Sequence, residues 1–278
     1  MTSAFFHFLR RYPTVAVGGL LMLLLVLTAI FAPWLGTQDP TQIAPLYRTR
    51  PPSAQFWFGT DLLGRDVYSR VLYGTRVSLT VGFSVAVLST AIGAVIGVIA
   101  GFVRWLDVVI MRIMDGFMSI PTILLAIALI ALWHESMRTV ILAITIVEIP
   151  RVVRLVRGVV LSLREQAFVE AAVTAGASPW RIMVRHIFPN TVAALIVQGT
   201  YILGVSILAE ASLSFIGAGV PPITPSWGNI MAEGRALWQI RPHLIAFPAA
   251  FLSVTILAVN MLGDGLRDAL DPRMSKED

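Results

Sequence analysis

Runs of apolar residues without one charged side chain restrict this chain more than any other feature of its sequence. Val15–Trp34, Val77–Val103, Gly116–Trp133, Thr191–Ala209 and Leu244–Gly263 are five such runs. About 20 apolar residues in a helix cross the roughly 30 Å of a bilayer's hydrocarbon. A sixth run, Thr139–Val160, is long enough but carries Glu148, Pro150, Arg151, Arg154 and Arg157. It spans only if those side chains sit at the interface or face protein rather than lipid. Composition agrees: 56% of the residues are hydrophobic and 13% are charged, whereas a soluble domain carries about a quarter charged. The sequence therefore predicts an all-α membrane protein with about six transmembrane helices.

Six spans place both termini on one side. Lys and Arg concentrate on the cytoplasmic side of membrane proteins. A cytoplasmic N-terminus puts Arg151, Arg154, Arg157, Arg164, Arg181 and Arg185 inside, against Arg48, Arg50, Arg65, Arg70 and Arg76 in the first outside loop. The inside excess is modest and favours both termini in the cytoplasm. Net charge is +5, and in so apolar a chain the basic loops answer to topology and anionic headgroups rather than nucleic acid. No cysteine is present, which excludes disulfides and thiolate metal sites. The first apolar run is longer than a signal-peptide core and no small-x-small site follows Trp34, so it is read as an uncleaved span.

Between the runs, residues 36–58 are rich in Pro, Gln, Thr and Arg and read as an irregular outside loop. Thr60 is placed to cap an amphipathic helix with Leu63, Val67, Tyr68, Val71 and Leu72 on one face, and Asp61–Arg65 and Asp66–Arg70 have helical ion-pair spacing. Gly93, Gly97 and Gly101 line one helical face and permit close helix approach. The Gly- and Pro-rich segment Gly217–Pro242 holds Trp227 and Trp238, whose indoles suit the headgroup level and suggest a cap over the outer mouth. The chain thus divides into residues 1–76 (first span, outside loop, amphipathic helix), 77–267 (membrane body) and a cytoplasmic tail at 268–278.

The longest polar interruption inside the body is residues 162–190, SLREQAFVEAAVTAGASPWRIMVRHIFPN. Ser162 and Glu165 form a capping-box pattern that starts a helix. Helix formers continue to Ala175, and Gly176 sits where a helix-ending residue takes positive φ. Ser178 caps a second helix with Pro179 in its first turn, running to Pro189. The product is a helix–Gly–helix elbow whose Ala167, Ala171, Ala172 and Ala175 keep its surface low enough for another protein to fit over it. A structured connection this long is commonly functional, and the segment reads as a docking site for a partner.

That same stretch, EAAVTAGASPWRIMVRHIFPN, resembles the EAA loop of ABC importer permeases: Glu170, Ala171, Ala172, Gly176 and Pro189 fall on the pattern. His186 and Phe188 depart from the general form, the former in a way familiar from the peptide branch. FGTDLLGRDVYSRVLYGTRVSL (58–79), EASLSFIGAGVPPITPSWG (210–228) and NMLGDGLRDALDPR (260–273) resemble the C-type subunits of dipeptide, oligopeptide and nickel permeases. The resemblance implies a type I importer fold in a bacterial inner membrane. It also implies a heterodimer with a homologous permease subunit, two cytoplasmic ATP-binding subunits and an external solute-binding protein. By this resemblance Glu170, Ala171, Ala172, Gly176 and Pro189 couple the chain to the ATPase, with Gly176 supplying the turn. The implied cargo is a di- or oligopeptide, or alternatively nickel or another small solute.

No cofactor or enzymatic activity of its own is expected. The chain's single lysine, Lys276, lies outside any Gly-x-x-x-x-Gly-Lys-Ser/Thr context, so ATP hydrolysis falls to separate subunits. His7, His134, His186 and His243 are too scattered for a zinc site. Arg151, Arg154 and Arg157 repeat like a voltage sensor, but the run is short and reads as interfacial anchoring, with Glu148 pairing Arg151. The remaining rival is a proton-coupled carrier relaying through Asp115, Glu148 and Glu210, though no repeated halves accompany it.

Overall fold

The computed structural model describes residues 11–270. His7, Arg10, Arg273, Lys276 and the tail beyond Leu270 lie outside the described residues. The helices are α1 (Pro13–Phe31, continued by a 3₁₀ turn Ala32–Trp34), α2 (Val67–Phe102), α3 (Arg104–Met118), α4 (Thr122–Ala131) and α5 (Met137–Arg164). They continue with α6 (Ala167–Thr174), α7 (Pro179–Phe215), α8 (Trp227–Gly234) and α9 (His243–Leu270). Four of these, α1, α2, α7 and α9, are long and apolar enough to cross a membrane on their own.

The other two expected spans take different forms. Gly116–Trp133, read as one span, is broken: α3 ends at Met118 and α4 leaves it at 90°. Pro121 stands at the break, lacking an amide to continue the helix and disfavouring helical geometry in the residue before it. The pair counts as a fifth crossing by length and composition. The charged sixth run becomes α5, 28 residues without a break despite Pro150. Two of its arginines are met by carboxylates of α3: Arg154 pairs with Asp115 at 2.7 Å, both half exposed, and Arg157 with Asp107 at 2.5 Å.

At 36 residues, α2 is the axis of the fold. Its glycines seat the valines of α5 rung by rung. A Cβ added to Gly93 would lie 2.5 Å from Val152 Cβ, one on Gly97 2.7 Å from Val156 Cβ, and one on Gly101 2.6 Å from Val160 Cβ. Val152, Val156 and Val160 are buried. Where lipid is as apolar as the side chains, helices associate through such close packing, and the expectation from Gly93-x-x-x-Gly97-x-x-x-Gly101 is met. The same device recurs at Gly82 of α2, which seats Ile207 and Leu203 of α7, and at Gly18 of α1, which rests on the α9 backbone at Ala258 and Leu262.

The amino-terminal end of α2 corrects the reading of residues 60–76. No separate amphipathic helix precedes the span; α2 begins at Val67 and runs through to Phe102. Its cap is Asp66, whose side chain accepts the Ser69 amide at 2.9 Å, and not Thr60. Gly59 and Gly64 take φ of +76° and +78° and fold 60–66 into a tight loop, in which Thr60 pairs with Asp66. Asp61 does bond Arg65 at 2.7 Å, but across this loop rather than along a helix. Arg70 turns away from Asp66 to Asp61 at 2.6 Å and to Glu233 of α8 at 2.5 Å, and Arg65 joins the same Glu233. Two arginines and two carboxylates therefore tie the loop, α2 and α8 into one buried cluster.

Two further side chains at this end differ from expectation. Trp227 is no headgroup anchor: it is fully buried and donates its indole N–H to the Val71 carbonyl at 3.1 Å. Trp238 remains exposed. Glu210, a candidate relay acid, is buried and accepts from the hydroxyls of Ser78 at 3.2 Å and Ser214 at 2.8 Å, pinning α7 to α2.

Substituting Gly97 by Leu should destabilise the α2–α5 contact by about 1–3 kcal/mol through overpacking, with partial recovery when Val156→Ala is added; thermal unfolding in detergent measures both. Arg70→Met should cost about 1.5–3 kcal/mol, because Asp61 and Glu233 lose one of the two guanidiniums they share while Arg65 still holds both; adding Asp61→Asn should recover part of that loss in the same assay.

Candidate functional site: the elbow at 162–190

The elbow hangs from the end of the glycine ladder. The helix expected to start at Ser162 does not start there. Val160 is still locked against Gly101, so Ser162 remains inside α5, which ends at Arg164 with Glu165 as its carboxy cap. Arg164 secures that end: its Nη1 donates to the Gly101 carbonyl at 2.9 Å, and its guanidinium lies 5.6 Å from the Phe102 ring centre. The first elbow helix, α6, then begins at Ala167 without a side-chain cap.

Its end follows the sequence closely. Gly176 has φ +78°. The Gly176 amide donates to Val173 and the Ala177 amide to Ala172, at 2.9 and 3.0 Å. This paired pattern is the Schellman turn, and a glycine fits it because a Cβ would strain the left-handed backbone. Ser178 caps the next helix by accepting the Arg181 amide at 3.4 Å, with Pro179 in the first turn.

That second helix does not stop at Pro189. It widens into a π turn over Ile182–Ile187 and continues as α7 to Phe215, 37 residues in all. A proline inside a regular helix lacks one amide and crowds the carbonyl four residues back. In the widened turn Phe188 donates five residues back, to Met183, and Pro189 enters just after it. Elbow and membrane span are consequently one rod.

The surface of the elbow is more apolar than small residues alone imply. Val169, Ala172, Ile182 and Ile187 are buried and fasten it to the body. Ala172 thus faces inward, correcting its assignment to the outer surface, while Ala167, Ala171 and Ala175 face out. Phe168 at 41% and Val173 at 59% exposure stand on the same helix, while Trp180, at 70%, borders an apolar groove with Val95, Val98 and Ile99 of α2. These three were not singled out from the sequence; the signal was a tryptophan directly after the Ser-Pro start of a polar-loop helix. Exposed apolar groups gathered on one element mark an interaction surface.

Glu170 is exposed and lines a polar pocket of about 430 Å³ with Arg104, Asp107, Arg164 and Glu165, where elbow, α3 and α5 meet. Glu170 makes no ion pair within 4 Å among the described residues. Pro189 is exposed on the rod just past the π turn. Glu170, Ala171, Ala172 and Gly176 thus cluster on α6 and its turn, whereas Pro189 lies apart on α7. Among the described residues no group of His, Asp and Glu is arranged to hold a metal ion. The three proposed relay acids occupy separate contacts, Asp115 with Arg154, Glu148 with Arg151 and Glu210 with serines.

The family model for the inner membrane component of binding-protein-dependent transport systems matches residues 93–276, from the glycine ladder through the elbow to the end of α9. The chain belongs to this family. A second model, the N-terminal transmembrane domain of oligopeptide transport permease C, matches residues 2–52 of the permease. The permease is 50% identical over 267 residues to a probable peptide ABC transporter permease protein of Sinorhizobium fredii, covering 96% of this chain and 91% of that one. It is 42% identical over 270 residues to the dipeptide transport system permease protein of Alkalihalophilus pseudofirmus (97% and 89% covered). With the glutathione transport system permease protein of Escherichia coli it shares 44% identity over 272 residues (97% and 90% covered). The inward-facing methionine ABC transporter MetNI has the same fold, with a TM-score of 0.61 at 20% identity over 72% of this chain and 96% of that one. The permease is therefore an all-α membrane component of an ABC importer, as its sequence led one to expect.

Gly176→Pro removes the amide that bonds Val173 and forbids positive φ, so the elbow turn should open while the spans stay inserted. Limited proteolysis of membranes should cut this variant near residue 176 at least about tenfold faster than wild type, as local unfolding exposes the backbone. Equal cutting would mean the turn does not depend on its glycine.

Proposed function

We propose that the permease forms half of a translocation path for di- or oligopeptides in a bacterial inner membrane, with both termini in the cytoplasm. Its companions are a homologous permease subunit, two cytoplasmic ATP-binding subunits and an external solute-binding protein. The peptide assignment draws on relatives that carry peptide, dipeptide and glutathione in their names. The observation that carries the coupling role is the rod: the exposed Trp180 and Tyr201, central in the charge-free run Thr191–Ala209, lie on one unbroken helix, Pro179–Phe215. A push on the elbow by an ATPase closing on ATP moves the span directly, with no flexible joint to absorb it. Phe168, Ala171, Val173 and Trp180 supply the apolar docking face, Gly176 fixes the angle between the two elbow helices, and Glu170 steadies the elbow from the polar pocket behind it.

The arginine distribution supports the orientation. Arg65 and Arg70 of the first outside loop are consumed in the buried cluster with Asp61 and Glu233, so they weigh little against the basic elbow side. A proton-driven carrier has no such use for the elbow.

Because the chain has no cysteine, Val173→Cys provides a single label site. An impermeant maleimide should leave it unmodified in spheroplasts, modify it in inverted vesicles stripped of ATPase subunits, and lose access when those subunits are restored. Labelling from outside, or labelling indifferent to the ATPases, would refute the docking role. Gly176→Pro should abolish ATP-driven peptide uptake. Uptake by proteoliposomes given only a proton gradient and no ATPase would overturn the ABC reading.

A further inference from the structure

Arg151 stands midway along the 28-residue α5. Its neighbour Tyr201 stands midway along the charge-free run Thr191–Ala209 of α7. Between two such helices a guanidinium is too costly to leave against hydrocarbon, so it sits at the interface or faces protein or a water-filled path. Arg154 and Arg157, the next two arginines of α5, are each met by a carboxylate within hydrogen-bond distance. Arg151 is not. Its Nη1 donates to the Tyr201 hydroxyl at 2.8 Å and its guanidinium carbon lies 5.4 Å from the centre of that ring. Glu148, buried beneath it, comes only to 3.4 Å from Nε, and its Oε2 accepts no hydrogen bond. Nη2 makes no hydrogen bond among the described residues, and the side chains of Arg151 and Tyr201 are 38% and 48% exposed. The guanidinium is oriented from behind by a ring and a carboxylate, and its outer edge is open.

One helical turn from this pair lies a groove of about 440 Å³ lined by Leu155, Ala194, Val197, Gln198 and Arg267. The Gln198 amide nitrogen is buried and has no hydrogen-bond partner. A fixed guanidinium edge matches a planar carboxylate through two parallel charge-assisted hydrogen bonds. An amide donor one turn away matches a carbonyl oxygen. Together they describe an extended solute that is anionic at one end and carries carbonyls along its length.

We propose that Arg151, positioned by Tyr201 and Glu148, is a binding station for the C-terminal carboxylate of a peptide crossing the membrane, with Gln198 meeting a backbone carbonyl of the same molecule. This rests on the peptide reading above. The site selects among solutes inside the membrane, after the external binding protein has released its cargo.

The test uses the complete transporter in proteoliposomes, with its binding protein, and compares radiolabelled trialanine with trialanine amide. Wild type should take up the acid well and the amide poorly, normalised to binding-protein occupancy. Arg151→Gln should lower acid uptake at least about tenfold, to the amide's level, the loss expected from removing the charge-assisted hydrogen bonds to the carboxylate. Arg151→Lys should keep a substantial part of it. In both variants ATP hydrolysis stimulated by the binding protein should persist, reporting an assembled complex. Unchanged acid uptake in Arg151→Gln would overturn the carboxylate site and leave the peptide reading standing. Loss of stimulated hydrolysis in Arg151→Gln would instead assign Arg151 to the contact between the two permease subunits and overturn the station. Absence of uptake of either peptide by wild type would refute the peptide reading itself, and the station with it.

Discussion

The contact between α2 and α5 carries the rest of the permease. Gly93, Gly97 and Gly101 let Val152, Val156 and Val160 approach the α2 backbone to a distance no other residue permits. In lipid this closeness is the main source of helix–helix attraction, since burying apolar surface gains nothing over leaving it among acyl chains. The ladder also settles where the charges of α5 go. With its valine face held against α2, α5 turns Arg154 and Arg157 toward α3, where Asp115 and Asp107 meet them. A helix too charged to be apolar by composition is held inside the bundle because one face packs and arginines on another are paired.

The two ends of α2 are specialised in different ways. At the amino end, Asp61, Arg65, Arg70 and Glu233 make a buried ionic cluster, and the buried Trp227 of α8 bonds the Val71 carbonyl next to Arg70. Such a cluster contributes little net stability over apolar packing but penalises any arrangement that leaves a charge unmatched. It therefore fixes one relative position of loop, α2 and α8. At the carboxy end Glu170 is exposed beside an open polar pocket, and Phe168 and Val173 of the elbow are exposed as well. A rigid closed end and an open receptive end suit a protein acted on from one side.

What the sequence revealed was governed by locality. The glycine spacing, the Gly176 turn and the Ser178 cap each depend on a few adjacent residues, and each stands as read. Misreadings arose where a distant partner outvoted a local pattern. Ser162–Glu165 has the form of a helix start, but Val160 against Gly101 keeps the chain helical past it. Thr60 was a sound cap on paper; the loop closed by Gly59 and Gly64 gave that role to Asp66. Pro189 promised an end that the π turn made unnecessary, and Trp227 was drawn inward by a carbonyl of α2. Of the elbow proposed for docking, the position was legible and the inward turn of Ala172 was not, because its burial depends on how the elbow leans on α5 and α7.

The π turn at Ile182–Ile187 has a geometric consequence. Ile182 and Ile187 are both buried although five residues separate them. In a regular helix each residue advances about 100°, so such a pair would point roughly 140° apart; the wider turn brings both to the same side. The turn holds one residue more than regular winding requires, and that residue sets the rotational phase between the elbow and its span. Losing it would swing Trp180 and its neighbours about 100° around the rod axis while every membrane contact beyond Phe188 stayed in register. The compass bearing of the elbow's second helix is thus encoded in the length of a single turn, independently of the residues it exposes.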